Sequence, residues 1–416
     1  MTLALADANS FYCSCFQIFE PRLAGKALVV ASNNDGNVVS RTPEAKAMGV
    51  PMSAPLFDWR KQIESGELIV RSSNYALFHD MSCRMQEILV DMSPAVEIYS
   101  VDECFLNFTG VRDPMMLGRE IRDRILRDLG LPICVGIGPT KVLSKRANKL
   151  AKAGAGVVDL TPLDARDHAL RSTAVEDIWG IASRLGARLR EIGITTAAEL
   201  RDAHAPLIRS RFGVVVERLQ RELQGIRCLP LETAEPDRKQ MYCTRSFGHA
   251  VKTIHPVQEA IANFLVHVAE RMRARSLRAQ ALHVFFHTSP FRNGPHHYAS
   301  LVLPLPVPTD DTGVLLTHAR SMVSYLWRDG FAFAKAGVGL VDLTRVEVEQ
   351  VDCFDSQSPR RMALMKVLDA SNRKFGRDTI RFAAQGATRR RQWAMKQSMP
   401  TPHYTTRWKD IIQANC

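Results

Sequence analysis

The sequence predicts an α+β multidomain chain built on two split βαββαβ units of the ferredoxin-like kind. Three observations carry that prediction. Over residues 2–138, short apolar runs and helically spaced segments alternate as strand, helix, strand, strand, helix, strand. The same order recurs between about residues 240 and 350. Between them lies a stretch of short helical patterns punctuated by glycine. A chain of 416 residues has room for two to four such domains.

"TLALADANSFY" reads as a buried strand that ends in small and polar residues. Residues 21–71 read as an insertion, with the apolar strand "ALVVAS", the turn "NNDG" and the small helix "PEAKAMG". Residues 74–92 follow as a helix, because Leu77, Met81, Met85, Ile88, Leu89 and Met92 recur at helical spacing. "AVEIYSVDECFLNF" (95–108) reads as a hairpin, its arms Ala95–Ser100 and Glu103–Phe108 meeting at Val101–Asp102. "DPMMLGREIRDRILRDLG" is an amphipathic helix with Ile121, Ile125 and Leu129 on one face, and "LPICVGIG" closes the unit as a strand.

Within residues 163–230, "VEDIWGIASRLGARLREIGITTAAEL" places two short helices around a glycine turn. That is the style of a helix-hairpin-helix, which offers backbone N–H groups to phosphate, and also of an ordinary helical linker with glycine caps. The second unit comprises "QMYCTRSFGHAV", a helix in "PVQEAIANFLVHVAERMRAR", the strand pair "LHVFFHTSP" and "HYASLVLPL", a helix in "TGVLLTHARSMVSYLWR" and the strand "KAGVGLVDLTRV". The basic and weakly patterned residues beyond it, with "TRRRQW" and "HYTTRWKD", read as an interaction tail.

Composition narrows the partners. Lys and Arg number 55 against 43 Asp and Glu, a formal charge of +12, which favours a polyanion, nucleic acid before an anionic membrane. The nine cysteines form no C-x-x-C pair; Cys13 and Cys15 read as same-face strand positions with poor disulfide geometry, so reduced cytosolic thiols and no zinc site are expected. The N-terminus lacks a basic region, and Asp7 interrupts its apolar run, which argues against a signal peptide. No stretch reaches the ~18 apolar residues of a membrane span. A cytoplasmic location follows as an expectation.

Adjacent acids on a strand point to opposite faces, yet Asp102 and Glu103 sit at the predicted bend, where alternation fails. In a split βαββαβ unit the first strand lies beside the second arm of the hairpin, so Asp7 falls near both. Three carboxylates repel and raise one another's pKa unless a cation joins them. Oxygen ligands suit Mg²⁺ or Mn²⁺, and two such ions serve nucleotidyl transfer.

The motifs "DANSFYCSC" and "YSVDECF" resemble the opening and the S-x-D-E signature of the Y-family DNA polymerases. "SNNDGNVVSR", "EAKAMGV", "SSNYALFHDMS", "VEDIWGI", "HTSPF" and "YTTR" extend the resemblance over nearly the whole chain, to the UmuC-like branch of error-prone translesion polymerases. The resemblance implies a palm at 1–20 and 72–163, fingers at 21–71, a thumb at 164–232, a little finger at 240–350 and a tail at 351–416. It implies extension of a primer–template by dNTPs past damaged bases in the SOS response, with two Mg²⁺ (or Mn²⁺) held by Asp7, the Ala8 carbonyl, Asp102 and Glu103. Asp102 would bridge both ions.

By the same resemblance, Phe11 and Tyr12 lie at the incoming nucleotide, with Tyr12 the steric gate against a ribose 2′-OH. Ser40, Lys46 and Lys152 stand near the triphosphate positions; Pro43 and Lys46 replace a Tyr and an Arg common there, which implies a looser grip. Lys141, Lys145 and Lys149 form a helical stripe, and Gly180 opens the thumb hairpin, both expected at DNA. Ala182 replaces the hairpin's second Gly and would be strained if that position needs positive φ. Implied partners are a processed UmuD-like dimer, RecA and the sliding clamp. Two other readings use the same acids. A nucleotide cyclase needs neither Tyr12 nor the later domains, and an idle DNA-binding scaffold needs no intact triad.

"EQVDCFD" lies where UmuC-like proteins carry a Q-L-x-L-F clamp peptide. Gln350 and Phe354 are present, but Val351 and Cys353 shrink the apolar anchor. A fluorescence titration should therefore show weaker clamp binding by this peptide than by a Q-L-x-L-F peptide; equal affinities would refute the point.

Overall fold

The computed structural model describes residues 2–234, 237–346, 359–386 and 391–412. It divides into two compact units, one of residues 1–32, 36–235 and 399–416, the other of 33–35 and 236–398.

In the first unit, strand β1 (Leu3–Ala8) leads into helix α1 (Phe11–Phe19). The strand ends in small and polar residues as expected, and the helix after it corrects the reading of Cys13 and Cys15 as strand positions. Cys13 and Cys15 lie on α1, two residues apart on a helix rather than on one strand face, and both are buried and free. An inserted layer follows: β2 (Leu28–Ala31), β3 (Val38–Arg41), helices α2 (Pro43–Ala47) and α3 (Arg60–Glu64), and β4 (Ile69–Ser72). Its three strands pair in the order β3-β2-β4 around their own small core, including Val29, Val38 and Val70. Strands β3 and β4, four residues each, were not legible as strands.

Helix α4 (Tyr75–Met92) starts where the Asn74 side chain accepts from the Leu77 N–H, and it buries Leu77, Met81, Met85 and Leu89. Strands β5 (Val96–Ile98) and β6 (Glu103–Asn107) form the predicted hairpin. Helix α5 (Pro114–Leu129) is capped by Asp113 and buries Ile121 and Ile125; then come β7 (Ile133–Gly138), α6 (Lys141–Leu150) and the short β8 (Val157–Asp159). The sheet order is β5-β6-β1-β7-β8, with β1 beside the second hairpin arm. Five short helices complete the unit: α7 (Leu163–Arg171), α8 (Ser183–Arg190), α9 (Ala197–Asp202), α10 (Ala205–Phe212) and α11 (Val214–Leu223). Helices α8 and α9 flank the predicted glycine turn, and Thr196 and Glu199 form a capping box on α9.

One contact fixes where α6 lies. A Cβ built on Gly136 of β7 would stand 2.1 Å from Asn148 N and 2.3 Å from Ser144 O, both backbone atoms of α6. Only glycine admits that approach. It lets Asn148 Nδ2 donate to Leu5 O (3.2 Å) and Cys134 O (2.8 Å), and Ser144 Oγ donate to Leu3 O (3.2 Å). The helix is thereby tied to β1 and β7.

The second unit has β9 (Gln240–Val251), α12 (Ile254–Arg273), β10 (Leu277–Thr288), β11 (Tyr298–Thr309), α13 (Thr312–Leu326) and β12 (Phe333–Arg345). The element order is again βαββαβ, but the sheet order is β11-β10-β12-β9. The last strand enters between β9 and β10, whereas in the first unit β7 lies outside β1. Both helices pack on one face, burying Leu265, Val268, Leu315 and Met322.

The residues read as a weakly patterned tail hold α14 (Pro359–Phe375) and two buried aromatic anchors. In the second unit, Trp393 meets Phe264 edge to face at 5.4 Å. In the first, Tyr404 stacks on Phe19 at 5.0 Å and donates to Glu20 Oε1 at 3.1 Å. Arg71 holds the same carboxylate in two hydrogen bonds of 2.7 and 3.0 Å and, with Arg22 and Tyr404, draws its pKa down to about 2. Isolated anchors of this sort leave no periodic signal.

Gly136→Ala forces α6 off the sheet. Urea unfolding should show a loss of about 3 kcal/mol, and unchanged stability would mean that the helix is not seated by this contact.

Candidate active site

The adjacent ends of the two central strands carry the acids. In the β1–β6 pairing Asp7 stands opposite Glu103, and the Ala8 N–H donates to Asp102 O at 2.9 Å. The hairpin bend is tight. Tyr99 N–H and Ser100 N–H both donate to Glu103 O (3.1 and 3.0 Å), and Ser100 Oγ donates to Asp102 Oδ1 at 2.6 Å. Asp102 thus lies outside β6 and Glu103 at its first position, so strict alternation does not separate them. The backbone brings together three carboxylates distant in sequence.

Each acid has its own partner. Asp7, 6% exposed, accepts from Lys152 Nζ at 2.6 Å. Burial pushes its pKa up to about 7; Lys152 opposes the rise, and Glu103 and Asp102 add to it. Glu103 receives Lys145 Nζ at 3.0 and 3.1 Å. That ammonium also lies over the rings of Tyr99 (4.4 Å) and Trp179 (5.1 Å). Among the described residues no three His, Cys, Asp or Glu side chains close into a metal-holding group. The expected convergence is therefore present in the backbone, while the side chains are turned to separate partners. The donor set of three carboxylates and a backbone carbonyl is all oxygen, and Asp102 and Glu103 add to the rise that burial imposes on the Asp7 pKa. Both fit a hard divalent cation.

The predicted lysine stripe is corrected. Lys141 is 5% exposed and its Nζ donates to Glu97 at 2.7 Å, a buried pair unavailable to DNA. Lys145 serves Glu103, and Lys149 pairs with Asp177 at 2.6 Å on the surface. The periodicity was real, but the acids that neutralise it come from other elements.

Phe11 is buried in the core against Phe78, which corrects its expected nucleotide role; Tyr12 is only partly buried and stacks on Phe78 at 4.2 Å. Ser40 is also corrected. It is 5% exposed, and its hydroxyl donates to Ser10 O at 3.2 Å while Ser10 Oγ donates to Arg41 O at 2.8 Å, a clip between β3 and the start of α1. Lys46 is exposed on α2. Gly180 has φ +94°, as a hairpin glycine needs, but Ala182 is extended at φ −90°, so the anticipated strain does not arise. Gln350 and Phe354 lie outside the described residues. Tyr99, Trp179 and Phe78 were not anticipated, since single aromatics in separate elements give no spacing signal.

Residues 6–149 match the impB/mucB/samB family, and residues 238–353 match its C-terminal domain. Residues 362–414 match a domain of unknown function, DUF4113. The chain is 40% identical to protein UmuC of Salmonella typhimurium over 99% of each chain. It belongs to the UmuC-like Y-family DNA polymerases. Protein SamB of the same organism is also 40% identical, over 99% of each chain. DNA polymerase IV of Moorella thermoacetica is 27% identical over 91% of this chain and 94% of the relative. A solved Y-family polymerase chimera, Dbh-Dpo4(243-245)-Dbh, superposes with a TM-score of 0.67 at 19% identity, covering 83% of this chain and all of the chimera. That likeness shows the fold.

If the Tyr12 ring sits where a ribose 2′-OH would fall, Tyr12→Ala should admit ribonucleotides in single-nucleotide incorporation assays. A variant that still rejects them would remove Tyr12 from that role.

Proposed function

We propose that this Y-family polymerase copies past damaged template bases with low fidelity in the SOS response. The primer 3′-OH attacks the α-phosphate of a dNTP, and pyrophosphate leaves. The observation that carries the reading is the meeting of Asp7, Asp102 and Glu103 at the ends of the two central strands, in an all-oxygen donor set.

Asp7, the Ala8 carbonyl, Asp102 and Glu103 would hold two Mg²⁺, or Mn²⁺ in their place. Two such ions, when bound, make the primer hydroxyl a better nucleophile and neutralise charge on the leaving group. The chain's own side chains position the substrates. Tyr12, braced by Phe78, presents its ring where a 2′-OH would clash. Lys152, its side chain 40% exposed and already at Asp7, and the exposed Lys46 supply cations for the triphosphate. Gly180 offers an open backbone turn to a DNA phosphate. Ser100 holds the Asp102 carboxylate in place.

The substrates are primer–template DNA and dNTPs; a solved neighbour with TM-score 0.58 is titled a Dbh ternary complex. A processed UmuD-like dimer, RecA and a weakly held sliding clamp complete the proposed assembly, on the strength of the full-length similarity to UmuC. No helix among the described residues is long and apolar enough to cross a membrane, in keeping with a proposed cytoplasmic site of action.

Primer extension on an abasic template tests the assignment. Asp102→Ala should lower extension at least about 10³-fold, equivalent to ~4 kcal/mol, and Glu103→Ala should be milder. Extension that survives Asp102→Ala unchanged would refute the active site.

A further inference from the structure

We propose that a cavity in the second unit, enclosed by β9, α12 and the residues after α14, is a binding site for a phosphate group. The cavity has a volume of about 260 Å³, room for a phosphate or a short phosphate chain. It contains none of the acids of the candidate active site. Arg377, Asp378, Arg391 and Trp393, four of its lining residues, come from the segment that matches a domain of unknown function.

The charge leans positive. Arg245, Arg377 and Arg391 line the cavity against two carboxylates, Glu270 and Asp378. Asp378 reaches Arg391 only at 3.8 Å. Arg377 has turned its Nη2 to His267 Nδ1, an acceptor only while the imidazole is neutral. The imidazole is kept so: burial first, then the guanidiniums of Arg377, Arg271 and Arg245, hold its pKa down to about 4, with only Asp378 opposing. A surplus of guanidinium charge in a half-enclosed space is a setting in which phosphate is bound.

A second observation is independent of charge. Trp393 is 7% exposed, and its buried indole Nε1–H has no acceptor among the described residues. The ring is held edge to face by Phe264 at 5.4 Å and covered by the Arg391 guanidinium at 5.2 Å from its centroid. A buried donor without an acceptor costs about 1–3 kcal/mol of desolvation, and native folds rarely leave one so. Phosphate oxygens would supply that acceptor and answer the surplus of guanidinium charge over carboxylate.

The face of the sheet matters too. Met241, Cys243, Arg245 and Phe247 alternate onto one side of β9, and Met241 and Phe247 are core residues beneath the helices. The cavity is therefore on the helix side, while Tyr242 and Thr244 point to the open side. A phosphate bound here is a different contact from any made by the open sheet face. Its source is either a free species, such as pyrophosphate or a nucleotide, or the backbone of a nucleic acid.

The test uses the full chain with ¹⁵N-labelled indoles. Five Trp give five Nε1–H resonances, and Trp393→Phe identifies the one in the cavity. Titration with inorganic phosphate, with pyrophosphate and with a short DNA duplex should move the Trp393 resonance saturably; Trp327, in the same unit but outside the cavity lining, is the internal control, and Trp179, beside Lys145 of the candidate active site, is not used as one. Saturation by pyrophosphate below the concentration of duplex needed marks a free species. Saturation by duplex first, reversed by added phosphate, marks a backbone phosphate. Arg391→Gln and the more exposed Arg377→Gln should each weaken the response at least ~tenfold, with Arg391→Lys retaining most of it. A Trp393 resonance unmoved by all three probes, or a response equal in Arg377→Gln, overturns the site. Primer extension plays no part in this readout, so its outcome is separable from the polymerase assignment.

Discussion

The seating of α6 on the central sheet governs the first unit. Gly136 leaves a gap that no other residue could leave, and Ser144 and Asn148 fill the hydrogen-bonding needs of the strand carbonyls beneath. The same helix carries Lys141 and Lys145, and the turn after it carries Lys152. Its close approach therefore fixes three ammonium groups, one in a buried pair with Glu97 and two on the acids at the strand ends. Packing and electrostatics at the site are one arrangement.

That arrangement answers the problem posed by three converging carboxylates. Burial raises the pKa of Asp7, and the neighbouring charges of Glu103 and Asp102 add to the rise. Lys152 and Lys145 compensate part of the charge with single, flexible side chains, and Lys145 gains further from Tyr99 and Trp179. Such countercharges leave the carboxylate oxygens able to change partners. The site is crowded and only loosely neutralised, which suits the intermittent binding of hard cations and a polyanionic substrate.

Much of this was legible in the residues. Asp7, Asp102 and Glu103 could be brought together from the strand order alone, because a split βαββαβ unit places its first strand beside the second hairpin arm. The helices with strong periodicity, α4, α5 and α12, were likewise plain. What stayed hidden depends on contacts between distant segments. Helical spacing put Lys141, Lys145 and Lys149 on one stripe but could not reveal Glu97, Glu103 and Asp177, which neutralise them. Helix α1 opens in a segment whose apolar and small residues also suit a strand. Strands of four residues, β3 and β4, are too short to show alternation. The second sheet's order, with β12 inserted between β9 and β10, follows from no local pattern. Trp393 and Tyr404 anchor a segment with little periodicity, so it read as a tail.

We propose that divalent cations replace the lysines as the partners of these carboxylates. Calorimetric titration of Mg²⁺ into the protein at pH 7, in two buffers of different ionisation enthalpy, tests it directly. With its pKa raised to about 7, Asp7 is partly protonated at that pH, and a metal-bound carboxylate is not. Mg²⁺ binding should therefore release protons and give heats that differ between the buffers. The difference should shrink as the pH is raised well above 7, and should vanish in Asp7→Asn. Identical heats in both buffers for the unaltered protein, or no binding at all, would contradict the account.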